Sequence, residues 1–177
     1  MGVLEYLDLK NIERCELLRI LNKEKIRKHL VPHEKFNKAS LDEWISCKVS
    51  MDSTKGCKVQ GVRVDGAVAG WCGIQLENGA YEIAIVLDEK YWGLGVSVFK
   101  DVMTWASELG HGHVVLNLFN TRPEYKFLTR MASRVHESTL WGQKYTSYEL
   151  GVPCKQEGRS NRGRQVLPSA ITNTGHQ

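Results

Sequence analysis

Ile83-Ala84-Ile85-Val86-Leu87, Asp88-Glu89, Lys90-Tyr91-Trp92-Gly93-Leu94-Gly95 and Val114-Val115-Leu116-Asn117-Leu118-Phe119 all lie between Tyr81 and Asn120. They read as an apolar strand, a turn, a glycine-bearing loop and a second apolar strand. Between the loop and the second strand, Val96, Phe99, Val102, Met103, Ala106 and Leu109 recur three or four apart, which predicts one core-facing helix face over Val96 to Leu109. Gly110 stops it. The unit is therefore βαβ, with parallel strands and a right-handed crossover. Gly93 and Gly95 lack a Cβ, so positive φ and a close approach by another molecule are expected there. The first amides of the helix lack internal acceptors and carry the positive end of its dipole, so a phosphate or pyrophosphate is expected over residues 92 to 97.

Outward from this unit, Val3 to Leu9 reads as a first strand, and Ile12 to Leu21 and Ile26 to Leu30 as short helices, with Asn22 capping the second. Ser40-x-x-Glu43 has the form of a capping box opening a helix that buries Leu41, Trp44, Ile45 and Val49. From Lys58 the period becomes two. Asp65-Gly66 and Asn78-Gly79 turn three antiparallel strands into the central one. After Asn120, Pro123 at a first helical position predicts a helix to about Ala132 that presents Phe127, Leu128 and Met131 to the core. Strands near Val135 to Thr139 and Tyr145 to Leu150 follow, separated by Leu140 to Lys144.

The chain has 177 residues, 42% hydrophobic and 25% charged, enough for one globular domain with a sizeable core. Residues 1–150 are expected to form it, with 151–177 as a polar, basic tail. Lys155, Arg159, Arg162 and Arg164 against Glu157 give that tail most of the net charge of +4, so the domain itself is nearly neutral. No aromatic interleaves the tail's charges, and nucleic acid is not an expected partner. Five cysteines without a Cys-x-x-Cys pair suggest free thiols in a reducing compartment. With no signal-peptide or membrane-spanning pattern, no membrane partner is expected and a cytoplasmic location is. His29 and His33 stand four apart, but Pro32 intervenes and no third ligand is evident, so no metal is expected.

From about Val3 to Leu150, this order of elements resembles the GNAT superfamily of N-acetyltransferases, which move an acyl group from acyl-coenzyme A to an amine. Lys90-Tyr91-Trp92-Gly93-Leu94-Gly95 resembles the family's Gln/Arg-x-x-Gly-x-Gly/Ala motif, with Lys at the first position. Asn120-Thr121-Arg122 resembles its Asn-x-Arg segment, although the usual Gly-Phe after the next helix is missing. The resemblance implies a mixed α/β fold of the α+β type, with a mostly antiparallel sheet of about seven strands, one parallel βαβ unit and flanking helices. It implies acetyl-coenzyme A as cosubstrate and a primary amine of a small molecule or peptide as acceptor, with the amine of an aminoacyl-tRNA as a narrower alternative. Homodimerisation is an open expectation.

Carried over by position, the resemblance places the coenzyme pyrophosphate on the amides of Trp92, Gly93, Leu94, Gly95, Val96 and Ser97, with Lys90 and Tyr91 at the rim. The pantetheine arm would follow the main chain of Ile85, Val86 and Leu87, in a slot where the two parallel strands splay, and Asn120 would touch the coenzyme. A lysine-like amine loses its proton at neutral pH at a cost of roughly 4 to 5 kcal/mol, so a base is useful. Glu82 is the candidate base. The family's general-acid tyrosine position holds Phe127 here, which leaves Tyr125 as a candidate acid and a coenzyme-binding module without turnover as the alternative function. The acceptor would enter past residues 22 to 40 and 140 to 144. Trp141 and Tyr145 would wall it, and Lys23, Lys25, Arg27, Lys28, His29 and Lys35 would lend positive potential.

Overall fold

The computed structural model describes residues 2–154. Seven strands form one sheet in the order β1-β2-β3-β4-β5-β7-β6. They are β1 (Leu4–Asp8), β2 (Lys58–Val64), β3 (Ala67–Glu77), β4 (Ala80–Leu87), β5 (His113–Phe119), β6 (Ala132–Leu140) and β7 (Gln143–Gly151). Every neighbouring pair is antiparallel except β4 with β5. The expected mixed sheet with one parallel βαβ unit is present.

Each face of the sheet has its own core, because side chains alternate along a strand. Cys72 and Ile74 of β3, Ile83 and Leu87 of β4, Val114 and Leu116 of β5 and Tyr148 and Leu150 of β7 pack on α4 (Gly95–Glu108) through Val98, Phe99, Val102, Trp105 and Ala106. On the opposite face, Val59, Trp71 and Val86 meet α1 (Arg14–Leu21) through Leu17, Ile20 and Leu21, and α3 (Lys38–Asp52) through Leu41 and Ile45. Apolar layers lie on both faces of β4, burying Ile83, Val86 and Leu87, which fits its continuous apolar run.

Several local expectations are corrected. Val96 and Leu109 of the predicted apolar face are exposed, and Val98 and Trp105 take their place, so the buried stripe is turned toward the i+2 positions. The box that opens α3 is Asn37 with Ser40, each side chain bonded to the other's backbone N–H; the asparagine outcompetes the Ser40–Glu43 pair. Asn22 ends α1 rather than opening α2 (Glu24–Arg27), and its amide clasps both backbone groups of Phe36. Pro123 lies outside helix α5 (Lys126–Met131), whose N-cap is Tyr125, and Met131 is exposed. The β6–β7 hairpin is two residues long: Leu140 pairs with Gln143, and Trp141 and Gly142 both take positive φ. Asp65-Gly66 and Asn78-Gly79 use the same conformation. Val152 is buried beyond the expected domain end at residue 150; the remainder of the expected tail, from residue 155, lies outside the described residues.

One ion pair ties the helical layer to the end of β4. Asp88 is fully buried, its amide donates to the Ala69 carbonyl at 2.7 Å, and its Oδ1 accepts from Lys23 Nζ at 2.7 Å. Arg19 stands 3.9 Å from the other oxygen. Lys25 and Glu89 form a more exposed pair at 2.9 Å. Removing Lys23 strands a buried carboxylate, so Lys23→Met should lower the unfolding free energy in urea by about 3 kcal/mol. Lys25→Met should cost less than about 1 kcal/mol.

Candidate functional site

The site begins where β4 and β5 part. Among the described residues their parallel pairing is recorded only at Glu82 opposite Val115, whereas β4 pairs with β3 from Ala80 to Leu87 and β5 with β7 from His113 to Phe119. Past Glu82 the facing edges of β4 and β5 have no ladder between them, and an extended molecule would find main-chain groups there. Ile85 is half-buried and packs toward α4, while Val86 and Leu87 are buried, so these three residues offer backbone rather than side chain. The Leu87 carbonyl is already used: it accepts from the Trp92 indole N–H at 3.0 Å.

The segment after β4 differs from the expected open loop. Glu89–Leu94 is a 3-10 turn that runs straight into α4. Neither Gly93 nor Gly95 takes positive φ, Gly95 having φ −55, and its N–H donates to the Trp92 carbonyl. Their lack of a side chain matters in another way. A Cβ built on either meets nothing within 4 Å, so the fold has no packing reason of its own for glycine and the space above both is open. Trp92 and Val96 flank it and are exposed, and Lys90 lies over the Tyr91 ring at 4.8 Å.

Glu82 lies on the face of α1 and α3, in register with Ala84 and Val86. Gln75 is directly opposite it on β3 and is buried, and its Oε1 accepts from Lys48 of α3. The Lys48 ammonium also lies over the Trp71 and Trp44 rings, at 4.9 and 5.6 Å. On the other side of Glu82, Asn117 Oδ1 accepts from Ser147 Oγ at 2.6 Å, and Ser147 Oγ is 2.5 Å from Ser138 Oγ. With its Oδ1 so engaged, the Asn117 amide has its NH2 left to donate, and its side-chain hydrogen bond favours the ionised Glu82. Burial pushes the Glu82 carboxyl up to about 7; Asn117 opposes the rise, Glu77 adds to it and Lys48 opposes it. Burial lowers the Lys48 ammonium from its ordinary value, with Glu77 and Glu82 acting against that. Tyr145, on the same face, is buried with its hydroxyl unpartnered among the described residues, and burial followed by Glu82 raises its pKa.

The other expected site residues are scattered. Asn120 is exposed on the rim of a cavity of about 370 Å³ lined also by Arg122, Pro123 and Tyr148. Tyr125 is not on a helix face; its backbone is extended and it packs with Phe127 against the α4-side core, the two rings 6.2 Å apart. Lys23 and Lys25 are paired with Asp88 and Glu89, and Arg27 donates to the neutral His33 carbonyl, so two of the charges expected of the first helices are taken up by carboxylates. His29 sits edge-on to Trp92, and burial, Arg122 and Lys28 lower its pKa. Lys48, Gln75, Asn117 and Ser147 were not among the sequence candidates. Gln75 carried a usable signal, a polar residue in a strand apolar on both faces; Lys48 carried none.

The Glu82 value has a direct consequence for stability. The folded value lies above the ordinary 4.5, so the native state holds this proton more tightly than the unfolded chain does. The resulting stabilisation is full below about pH 4.5 and is lost as pH rises through about 7. Glu82→Gln cannot ionise, so its melting temperature relative to the unsubstituted protein should climb across that window. Parallel curves from pH 4 to 8 would contradict the burial-raised carboxyl.

No family model matches the chain, and no curated protein matches it by sequence. Solved structures do. The acetyltransferase of GNAT family from Streptococcus pneumoniae superposes with a TM-score of 0.59 at 14% identity, covering 85% of this chain and 100% of that one. An N-acetyltransferase from Staphylococcus aureus Mu50 gives 0.65 at 13%, covering 86% and 99%. The ribosomal L7/L12 alpha-N-protein acetyltransferase in complex with coenzyme A gives 0.66 at 17%, covering 84% and 94%. The chain has the fold of the GNAT N-acetyltransferases.

Proposed function

We propose that this chain is an acyl-coenzyme A dependent N-acetyltransferase that carries an acetyl group to a primary amine of a small molecule or peptide and works in the cytoplasm. The observation that carries the reading is a carboxyl pushed up to about 7 at the position where, among the described residues, β4 is still paired with β5. The open space above Gly93 and Gly95 and the unladdered backbone of Ile85 and Val86 support a coenzyme site beside it. Coenzyme complexes of neighbours with this fold support the same cosubstrate.

Under this reading, the amides of residues 96 and 97 at the start of α4, with the helix dipole, hold the pyrophosphate, and Lys90 adds charge at the rim. Trp92 and Val96 cover apolar parts of the coenzyme, and Asn120 touches it from the end of β5. Acetyl-coenzyme A supplies the thioester, whose C–S bond breaks as the amine forms the new N–C bond. Glu82 takes the proton that the amine gives up, directly or through water, and a pKa near the working pH suits it to do so. Backbone N–H groups at the free edge of β4 polarise the thioester carbonyl. Tyr125 packs against the opposite core; it remains a candidate acid for the leaving thiolate only from that side.

Packing of Phe127 on Phe99, rings 5.7 Å apart, at the place where an acid is expected favours a second reading, a coenzyme-binding module without turnover. Free-thiol release from acetyl-coenzyme A over an amine panel separates the two. Turnover is expected, with kcat/KM rising with pH through about 7, and Glu82→Gln should lower it by about a hundredfold and remove that limb. A coenzyme-induced melting shift with no turnover on any amine would leave only the module. Coenzyme at a hundred times its Kd should stabilise the protein by about 2.7 kcal/mol. Gly95→Val, which has room in the fold, should abolish that shift and keep the helical signal. A normal shift in the variant would mean that the phosphates sit elsewhere.

A further inference from the structure

On the α3 face, a carboxyl and an ammonium stand one side chain apart. Gln75 and Glu82 are direct cross-strand partners, and such partners have Cβ atoms about 4.5 to 5.5 Å apart. Gln75 is also the hydrogen-bond partner of Lys48, so the ammonium is held beside Glu82 on its β3 side. An ammonium has three donors and no acceptor. Gln75 occupies one, while the Trp44 and Trp71 rings shield the cation without accepting an ordinary hydrogen bond. Tyr145 adds a buried hydroxyl with no partner among the described residues, close enough to Glu82 to feel its charge. Gln75, Glu82, Asn117, Ser147 and Tyr145 alternate with residues of the α4-side core, so they share one face across four strands.

We propose that the acceptor is a zwitterion, a free amino acid or a compound like it whose carboxylate lies a few bonds from the amine, with Lys48 holding the carboxylate and Glu82 facing the amine. The proposal rests on the transferase reading above. A plain amine enters this site as a cation and meets Lys48 as a like charge. An amino acid brings a carboxylate that offsets it. The need grows as the reaction proceeds, because Glu82 loses its negative charge when it takes up the amine's proton. Lys48 then loses the charge of Glu82 and keeps that of Glu77, and a carboxylate on the acceptor replaces what was lost. The Tyr145 hydroxyl is free to donate to the same carboxylate or to a polar acceptor side chain.

The test uses the full chain, acetyl-coenzyme A and matched acceptor pairs: L-phenylalanine with 2-phenylethylamine, L-methionine with 3-(methylthio)propylamine, and L-leucine with isoamylamine. Free thiol release gives kcat and KM for each. The carboxylate-bearing member of at least one pair should be preferred by tenfold or more in kcat/KM. Lys48→Met should erase that preference chiefly through KM, Lys48→Arg should retain most of it, and all three proteins should keep the same coenzyme-induced melting shift. Equal or better turnover of the decarboxylated amines, or an unchanged preference in Lys48→Met, overturns the proposal and leaves the transferase reading standing. No turnover on any member of these pairs while another amine of the panel is acetylated overturns the proposal alone; no turnover on any amine, with the coenzyme shift intact, overturns both.

Discussion

A buried backbone must find hydrogen-bond partners, and β4 has them on one edge only. Along its β3 edge every position from Ala80 to Leu87 is paired, and the Asp88 amide extends the ladder to Ala69. Along its β5 edge the pairing stops at Glu82. Apolar layers cover both faces of the strand beyond that point, with Ile83, Val86 and Leu87 all buried, so water has poor access to the unpaired edge. Leaving such groups unsatisfied is costly. The Trp92 indole answers for one of them, the Leu87 carbonyl. An extended chain of amides lying between the strands would answer for others, and in the proposed reading it is the position of the gap, rather than any single side chain, that sets where a coenzyme would lie.

The same geometry explains the chemistry of Glu82. It stands at the last paired position, so it is flanked by sheet on both sides, and burial dominates its titration. Its neighbours divide into two kinds. Asn117, oriented by Ser147 and Ser138, and Lys48, held by Gln75, favour the ionised form, while Glu77 disfavours it. The balance leaves the carboxyl poised near neutrality. Asn117 and Ser147 reach it from β5 and β7, while Gln75 and Lys48 reach it from β3 and α3, so four separate elements converge on one charge.

How much of this was readable beforehand follows from the range of the forces involved. The βαβ unit, the two Asp-Gly and Asn-Gly hairpins and the succession of elements along the chain came from local signals: apolar period, turn residues and glycine. Trp141-Gly142 escaped because tryptophan is a poor guide to a left-handed turn, and only the pairing of Leu140 with Gln143 exposes it. The glycine loop was recognised for a reason that the structure alters. Its glycines are helical and serve open space rather than unusual φ. Glu82 was reached through its place beside the gap, but its partners Lys48, Gln75 and Asn117 come from segments far apart in the chain. Their convergence depends on register and on the seating of α3, and no local pattern encodes either. The positive potential assigned to the first helices is reduced for a related reason: Lys23 and Lys25 pair with Asp88 and Glu89, which lie far along the chain.

Two tyrosines stand on opposite cores, Tyr125 on the α4 side and Tyr145 on the α3 side, and neither is well suited to protonate a departing thiolate. Tyr125 sits at the N-cap of α5 among apolar neighbours, and the position two residues on is a phenylalanine packed on Phe99. Tyr145 holds its proton more tightly than an ordinary phenol because burial and Glu82 both oppose the phenolate. A thiol has an ordinary pKa of about 8.5, below the raised value of the Tyr145 phenol, so transfer from Tyr145 would run uphill. Glu82 is different. Once it has taken the amine's proton it is an acid with a pKa of about 7, stronger than the thiol it would reprotonate. In the proposed reaction the proton removed from the amine can therefore pass downhill to the thiolate, through Glu82 or through solvent, and the site has no thermodynamic need for a separate acid where Phe127 stands.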